Sequence, residues 1–230
     1  MFKHVAVAAT LVACAGFAGF AQQAPAPAGG IVTSIDAKRD QYAAVAKQIW
    51  DYAELGFQEE KSSALLQKTL ADAGFVVEKG VAGMPTAFTA SVGSGKPVIV
   101  LIGEFDALPG LSQAAGDVAR NPVKAGAPGH GCGHNLLGTA SAAAAIAVKE
   151  WMAQTKRPGT LRYYGTPAEE GGGGKVYMVR EGLLKDVDAV VGWHPGDQNS
   201  ADPSSSLATI AASVRFYGVA AHAAAWAATP

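Results

Sequence analysis

Apolar and polar positions along the chain change period repeatedly. Over Tyr42–Trp50 and Ser62–Ala73 apolar residues recur every three or four positions, which predicts two amphipathic helices, the second closed by Gly74. Phe75–Glu78 and Thr86–Val92 read as short strands. Pro97 then precedes Val98–Ile102, a run too uniformly apolar for a surface strand and suited to a sheet covered on both faces. Leu136–Met152 predicts a long Ala-rich helix, Thr160–Gly165 a strand, Val176–Gly182 a short helix and Asp188–Gly192 another buried strand. Strands alternating with helices predict an α/β fold, a mostly parallel sheet flanked by helices.

The ends differ in character. Residues 1–21 (MFKHVAVAATLVACAGFAGFA) carry one lysine and then an uncharged run of small apolar residues, the pattern of a secretory signal removed before Gln22. The run is short and weakly apolar for a membrane span, so no stable span is expected. Leu11–Cys14 also resembles a lipobox, which makes lipidation at Cys14 the second option. Either route exports the protein to a periplasmic or secreted location. Residues 22–30 (QQAPAPAGG) read as a linker, 31–205 as the main domain, and 206–230 as the start of a second one.

Composition narrows the chemistry. Eighteen basic residues against nineteen acidic ones give a formal charge of −1, which argues against nucleic-acid binding by bulk charge. Apolar residues at 49% supply ample core. Loss of the signal removes His4 and Cys14, leaving Cys132 as the single cysteine. A lone cysteine in an oxidising compartment forms no internal disulfide, and is a buried hydrophobe, a reactive thiol or a metal ligand.

The polar chemistry gathers just past the predicted strands, where open α/β sheets collect their ligands. Glu104 and Asp106 follow Ile102, Glu169 and Glu170 follow TLRYYG, and His194 follows DAVVG, while GHGCGHN (129–135) opens the Ala-rich helix. Each has an ordinary structural explanation alone. Together, thiolate, imidazole and carboxylate are donors for zinc-type metals, and flanking glycines let the backbone approach an ion. A phosphate loop at GGGGK lacks the required residues on both flanks, and no G-x-S-x-G elbow is present. A cysteine nucleophile using His130 or His134 leaves the glutamate pair and His194 unexplained.

In order and spacing, GEFDALPG, GHGCGHNLLG, GTPAEEGGGGKVYM, VGWHP and GVAAHAAA resemble the amidohydrolase branch of the dinuclear-metal aminoacylase and carboxypeptidase family. The GHGCGHN and PAEEGGGGK forms are most similar to its aminobenzoyl-glutamate hydrolases. The resemblance implies a zinc-aminopeptidase-like catalytic domain with a smaller α+β lid or dimerisation domain, two divalent ions (zinc, or manganese) and a homodimer. It implies Cys132, His134, Glu170 and His194 as metal ligands, Glu169 as general base, Asp106 as a partner orienting a ligand, and His222 as a lid residue reaching the oxyanion. The implied substrate is an N-acyl or N-aroyl amino acid. Asn135 stands where many relatives carry Asp. Relatives continue well past AAHAAA and return a further histidine ligand, so the 230-residue chain is expected to have a crippled site and an exposed apolar sheet face. Two other readings compete: a truncated metal-binding relative without turnover, and an exported solute-binding domain indifferent to chelator.

Overall fold

In the computed structural model residues 29–198, 200, 201, 208, 210 and 212–215 are described. The signal segment, most of the stretch 206–230 read as the start of a second domain, and His222 lie outside them. The chain divides into two compact units, Met1–Pro195 and Gly196–Pro230, and every helix and strand named here belongs to the first.

Three helices open the first unit: α1 (Gly29–Ala37), α2 (Arg39–Tyr52) and α3 (Glu60–Asp72). Strands β1 (Val76–Lys79), β2 (Phe88–Ser94) and β3 (Val98–Glu104) follow, then α4 (His134–Thr155), β4 (Gly159–Thr166), α5 (Gly174–Arg180) and β5 (Ala189–Val191). The strand order is β1-β2-β4-β3-β5. β3 runs parallel to both β4 and β5, whereas β2 is antiparallel to β1 and to β4. Four strands therefore share one direction and β2 alone opposes them, so the sheet is mixed. The parallel pairing expected from the sequence is found over β4, β3 and β5.

Packing follows from side-chain size. The apolar stripes of α2 and α3 bury Ile49, Leu66 and Leu70 against one sheet face, beside Phe88, Leu161 and Tyr163. Each such side chain is worth about 1.5–3 kcal/mol of burial. The alanines of α4, among them Ala142, Ala143 and Ala145, let that helix lie close over the sheet. A smaller cluster of Val81, Met84, Val100, Tyr164 and Met178 fills the other face under α5.

Two details differ from the pattern-based expectation. α1 begins at Gly29, inside the stretch read as linker; its Ser34, and Lys38 just past its end, both reach Glu150 of α4. β5, expected to be buried, is exposed: Val190 and Val191 keep 44% and 50% of their surface. It is an edge strand, paired among the described residues with β3 alone. Beside it Ile99, Leu101, Trp151 and Met152 line an apolar cavity of about 430 Å³, remote from the polar residues past the strands.

Candidate metal centre

Three neighbouring parallel strands deliver their C-terminal ends to one rim. Glu104 is the last residue of β3 and Asp106 follows two residues later; Glu169 and Glu170 follow β4; His194 follows β5. His134 is the first residue of α4, so the helix start sets it over the same rim.

His134 is fully buried at the centre. Its Nδ1 lies 2.9 Å from Asp106 Oδ1, with the ring N–H donating to the carboxylate. This pairing leaves Nε2 as the atom facing outward, 3.2 Å from Glu104 Oε2, 3.7 Å from Glu169 Oε2 and 3.9 Å from Glu170 Oε1. It is hydrogen-bonded to none of them, and Glu170 Oε1 is likewise buried without a partner. A ring nitrogen presented this way, its other nitrogen held by a carboxylate, is the arrangement of a metal-ligating histidine.

Cys132 and His194 meet alongside, Sγ to Nε2 at 3.1 Å. Cys132, His134 and His194 each offer a donor atom within 4.8 Å of the others, as do Glu104, His134 and Glu169. Glu170 is anchored through its own amide, which donates to Asp106 Oδ2 at 2.9 Å. Lys175 pairs with Glu104 and sets one positive charge beside this group of acids.

The electrostatics follow from that crowding. Burial alone lowers the His134 pKa, but the hydrogen bond and charge of Asp106, with Glu104 and Glu170, outweigh it and hold it above the ordinary value. Burial pushes the Asp106 carboxyl up, yet the bonds from His134 and the Glu170 amide prevail and hold it low. Burial, then the charges of Glu170 and Glu169, push the Cys132 thiol up. Burial also raises Glu170, against His134 and together with Glu169.

The residues expected at a metal site, Cys132, His134, Glu169, Glu170 and His194, thus converge, with Asp106 behind His134. His222 lies outside the described residues. His130 and Asn135 turn away from the cluster, toward the carbonyls of Ile49 and Ala46 on α2. The motifs give Glu104 no role, although it stands two residues before Asp106. Its position at the end of a buried strand was the available signal. Its partnership with Lys175 spans the sheet and leaves no trace in local sequence.

Residues 100–227 match the sequence model of peptidase family M20/M25/M40. The chain belongs to this family. As an M20-family chain it is 54% identical to one of the subunits of p-aminobenzoyl-glutamate hydrolase from Escherichia coli over 191 residues, which is 83% of the chain and 40% of that protein. It is 30% identical to the Xaa-Arg dipeptidase of Mus musculus, covering 84% of the chain and 43% of the relative. A dinuclear metal binding peptidase of the M20 family from Bacillus subtilis shares the fold, with a TM-score of 0.56 at 23% identity over 70% of the chain and 44% of that structure. An aminobenzoyl-glutamate utilization protein from Klebsiella pneumoniae does so with a TM-score of 0.53 at 16% identity, over 72% of the chain and 46% of that structure. The chain therefore spans less than half the length of these relatives. No described helix is long and apolar enough to cross a membrane.

Proposed function

We propose that the chain provides the metal-binding core of an amidohydrolase that cleaves the amide bond of N-acyl or N-aroyl amino acids, with p-aminobenzoyl-glutamate as the first substrate to test. One observation carries this reading: the buried His134 Nε2, without a hydrogen bond, backed by Asp106 and ringed by the carboxylates of Glu104, Glu169 and Glu170. A buried imidazole nitrogen and the Glu170 oxygen, neither of them hydrogen-bonded, sit among three carboxylates, and a divalent cation would draw these donors together and neutralise their charge.

Cys132, His134, Glu170 and His194 would hold the ions, with Glu104 as a further carboxylate donor. A thiolate beside imidazoles favours zinc over manganese. When bound, such ions polarise the substrate carbonyl and lower the pKa of water. Glu169 is the more exposed of the glutamate pair and stands next to the ligand group. Its carboxylate takes the proton of the attacking water and passes it to the departing amine nitrogen. Asp106 keeps the His134 proton on Nδ1 so that Nε2 stays free to coordinate. His222 is assigned to the lid, where it steadies the developing oxyanion, reaching across from the second protomer of a homodimer. Residues 1–21 are assigned to export, to the periplasm or the medium, with lipidation at Cys14 the less favoured route.

The test is Glu169→Gln in zinc-loaded protein, following release of glutamate from p-aminobenzoyl-glutamate. Turnover should fall about 10²–10⁴-fold with zinc content unchanged. An unchanged rate would remove Glu169 from the role of base.

A second reading, a metal-binding relative without turnover, is favoured by one feature. Both donor groups share His134, whose Nδ1 is committed to Asp106, and one remaining nitrogen serves only one ion. Zinc stoichiometry separates the two readings. Two ions per chain support the hydrolase, and one ion supports the inactive relative.

A further inference from the structure

In QEEKSS (58–63), Glu59 looks like one more acidic residue at the start of a helix. Its neighbours Gln58 and Glu60 are exposed, but Glu59 is completely buried. Burying a carboxylate is expensive unless its oxygens are used, and no lysine or arginine pairs with it among the described residues. Its Oε1 accepts the Ala168 backbone N–H at 2.8 Å, and its Oε2 accepts the Thr86 hydroxyl at 2.9 Å.

Ala168 is an unusual residue to hold in this way. Its φ is +54°, in the left-handed region that alanine seldom occupies, and it directly precedes Glu169. Its carbonyl accepts the amides of Gly172 and Gly173, so the same peptide anchors the glycine run that follows. Gly56 packs against it, and a Cβ there would stand 2.9 Å from both Ala168 Cα and Cβ. On the other side of Glu169, the Glu170 amide is held by Asp106. Glu169 therefore sits between two backbone amides, each gripped by a buried carboxylate from a distant part of the chain.

We infer that Glu59 is a positioning residue: by holding the Ala168 amide it keeps that residue in its left-handed conformation and so fixes the direction in which Glu169 and Glu170 enter the metal centre. The inference rests on the metal-site reading above. Loss of the grip lets Ala168 relax toward ordinary backbone angles, and rotation about that residue swings both glutamates.

Zinc affinity of the full chain, measured by competition with a chromophoric chelator, reads this out without turnover. Glu59→Met fills the volume but accepts no hydrogen bond. It should weaken zinc binding about 10–100-fold, the range seen when outer partners of a metal site are removed. Glu59→Gln keeps a carbonyl for the Ala168 amide and an NH₂ toward Thr86, and should restore affinity to within about twofold of the parent. A merely structural role would lower the melting temperature of Glu59→Met and leave zinc affinity alone, and that result would overturn the inference. Loss of affinity in Glu59→Gln equal to that in Glu59→Met would overturn it too. Glu170→Gln is the control: if it leaves zinc binding intact, the ligand reading falls first and the Glu59 inference with it. If Glu59→Met does not fold, Thr86→Val tests the same link by freeing Oε2. A smaller loss of zinc affinity, reversed in Thr86→Ser, supports the grip, and no loss refutes it.

Discussion

His134 Nδ1 and Asp106 Oδ1 stand 2.9 Å apart, joining the first residue of α4 to the segment just past β3. Asp106 Oδ2 at the same time accepts the Glu170 amide. A single carboxylate thus aims an imidazole with one oxygen and a glutamate-bearing loop with the other. Asp106→Asn cannot do both. If its carbonyl accepts from His134, its NH₂ faces the Glu170 N–H, and the opposite rotamer sets two donors against each other at His134. Zinc affinity should fall at least about tenfold in a fold that remains intact by circular dichroism. Undiminished affinity would mean that His134 is aimed by packing alone.

Gly138, one turn into α4, sets how closely the helix approaches β3. A Cβ there would lie 2.6 Å from the Glu104 carbonyl oxygen and 3.2 Å from Leu66 Cδ1. The first neighbour is backbone and has little room to give. Gly138→Ala should therefore push α4 away from β3, costing about 1–3 kcal/mol in urea unfolding. Because His134 rides on α4 and Glu104 ends β3, zinc affinity should drop as well. A variant that loses stability while binding zinc normally would show that the strain is absorbed away from the centre.

These dependencies explain what was legible in the sequence. Helices α2, α3 and α4 and strands β3 and β4 are written in local periodicity, because each buries one face or both in a single core. The metal-centre residues were legible as motifs for a related reason: each lies within a few residues of a strand or helix end. The direction of β2 was not legible, since it depends on which strand it pairs with across the sheet rather than on its own seven residues. Nor was the exposure of β5, where an apolar run suggested burial that only neighbouring elements can provide. Glu59 with Ala168 and Lys175 with Glu104 are the clearest omissions. Their partners lie 109 and 71 positions apart, and a charged residue near a helix start is ordinarily solvated.

Lys175 tests the charge balance of the centre. Its ammonium pairs with Glu104 and stands where an incoming cation would be repelled. Lys175→Met removes that repulsion and frees a carboxylate. Zinc affinity at pH 8 should rise about tenfold, as expected for loss of one charge a few ångströms away in a partly solvated site. The metal-free variant should unfold at lower temperature, because Glu104, Glu169 and Glu170 then repel one another with less compensation. Weaker zinc binding would indicate that Lys175 positions Glu104 more than it competes with the metal.

The His134–Asp106 pair also sets a pH window for the metal-free chain. Asp106 is held below its ordinary 3.8 by the net effect of burial, which raises it, and of His134 and the Glu170 amide, which lower it further. Its contribution is thus fully present above the unfolded value and is lost as pH falls through the depressed folded value. His134 is held above its ordinary 6.5, because Asp106, Glu104 and Glu170 together outweigh burial. Its contribution is fully present below 6.5 and is lost as pH rises through the raised folded value. The pair therefore stabilises most in the interval between the carboxylate and imidazole ranges. In chelator-treated protein, the difference in urea midpoint between the parent and His134→Gln should be greatest there and shrink on both sides. Zinc should abolish the alkaline decline, because coordination takes the neutral ring and no longer relies on the proton at Nε2. A difference that keeps growing from about pH 6.5 to about pH 8.5 in the absence of metal would contradict this account of the pair.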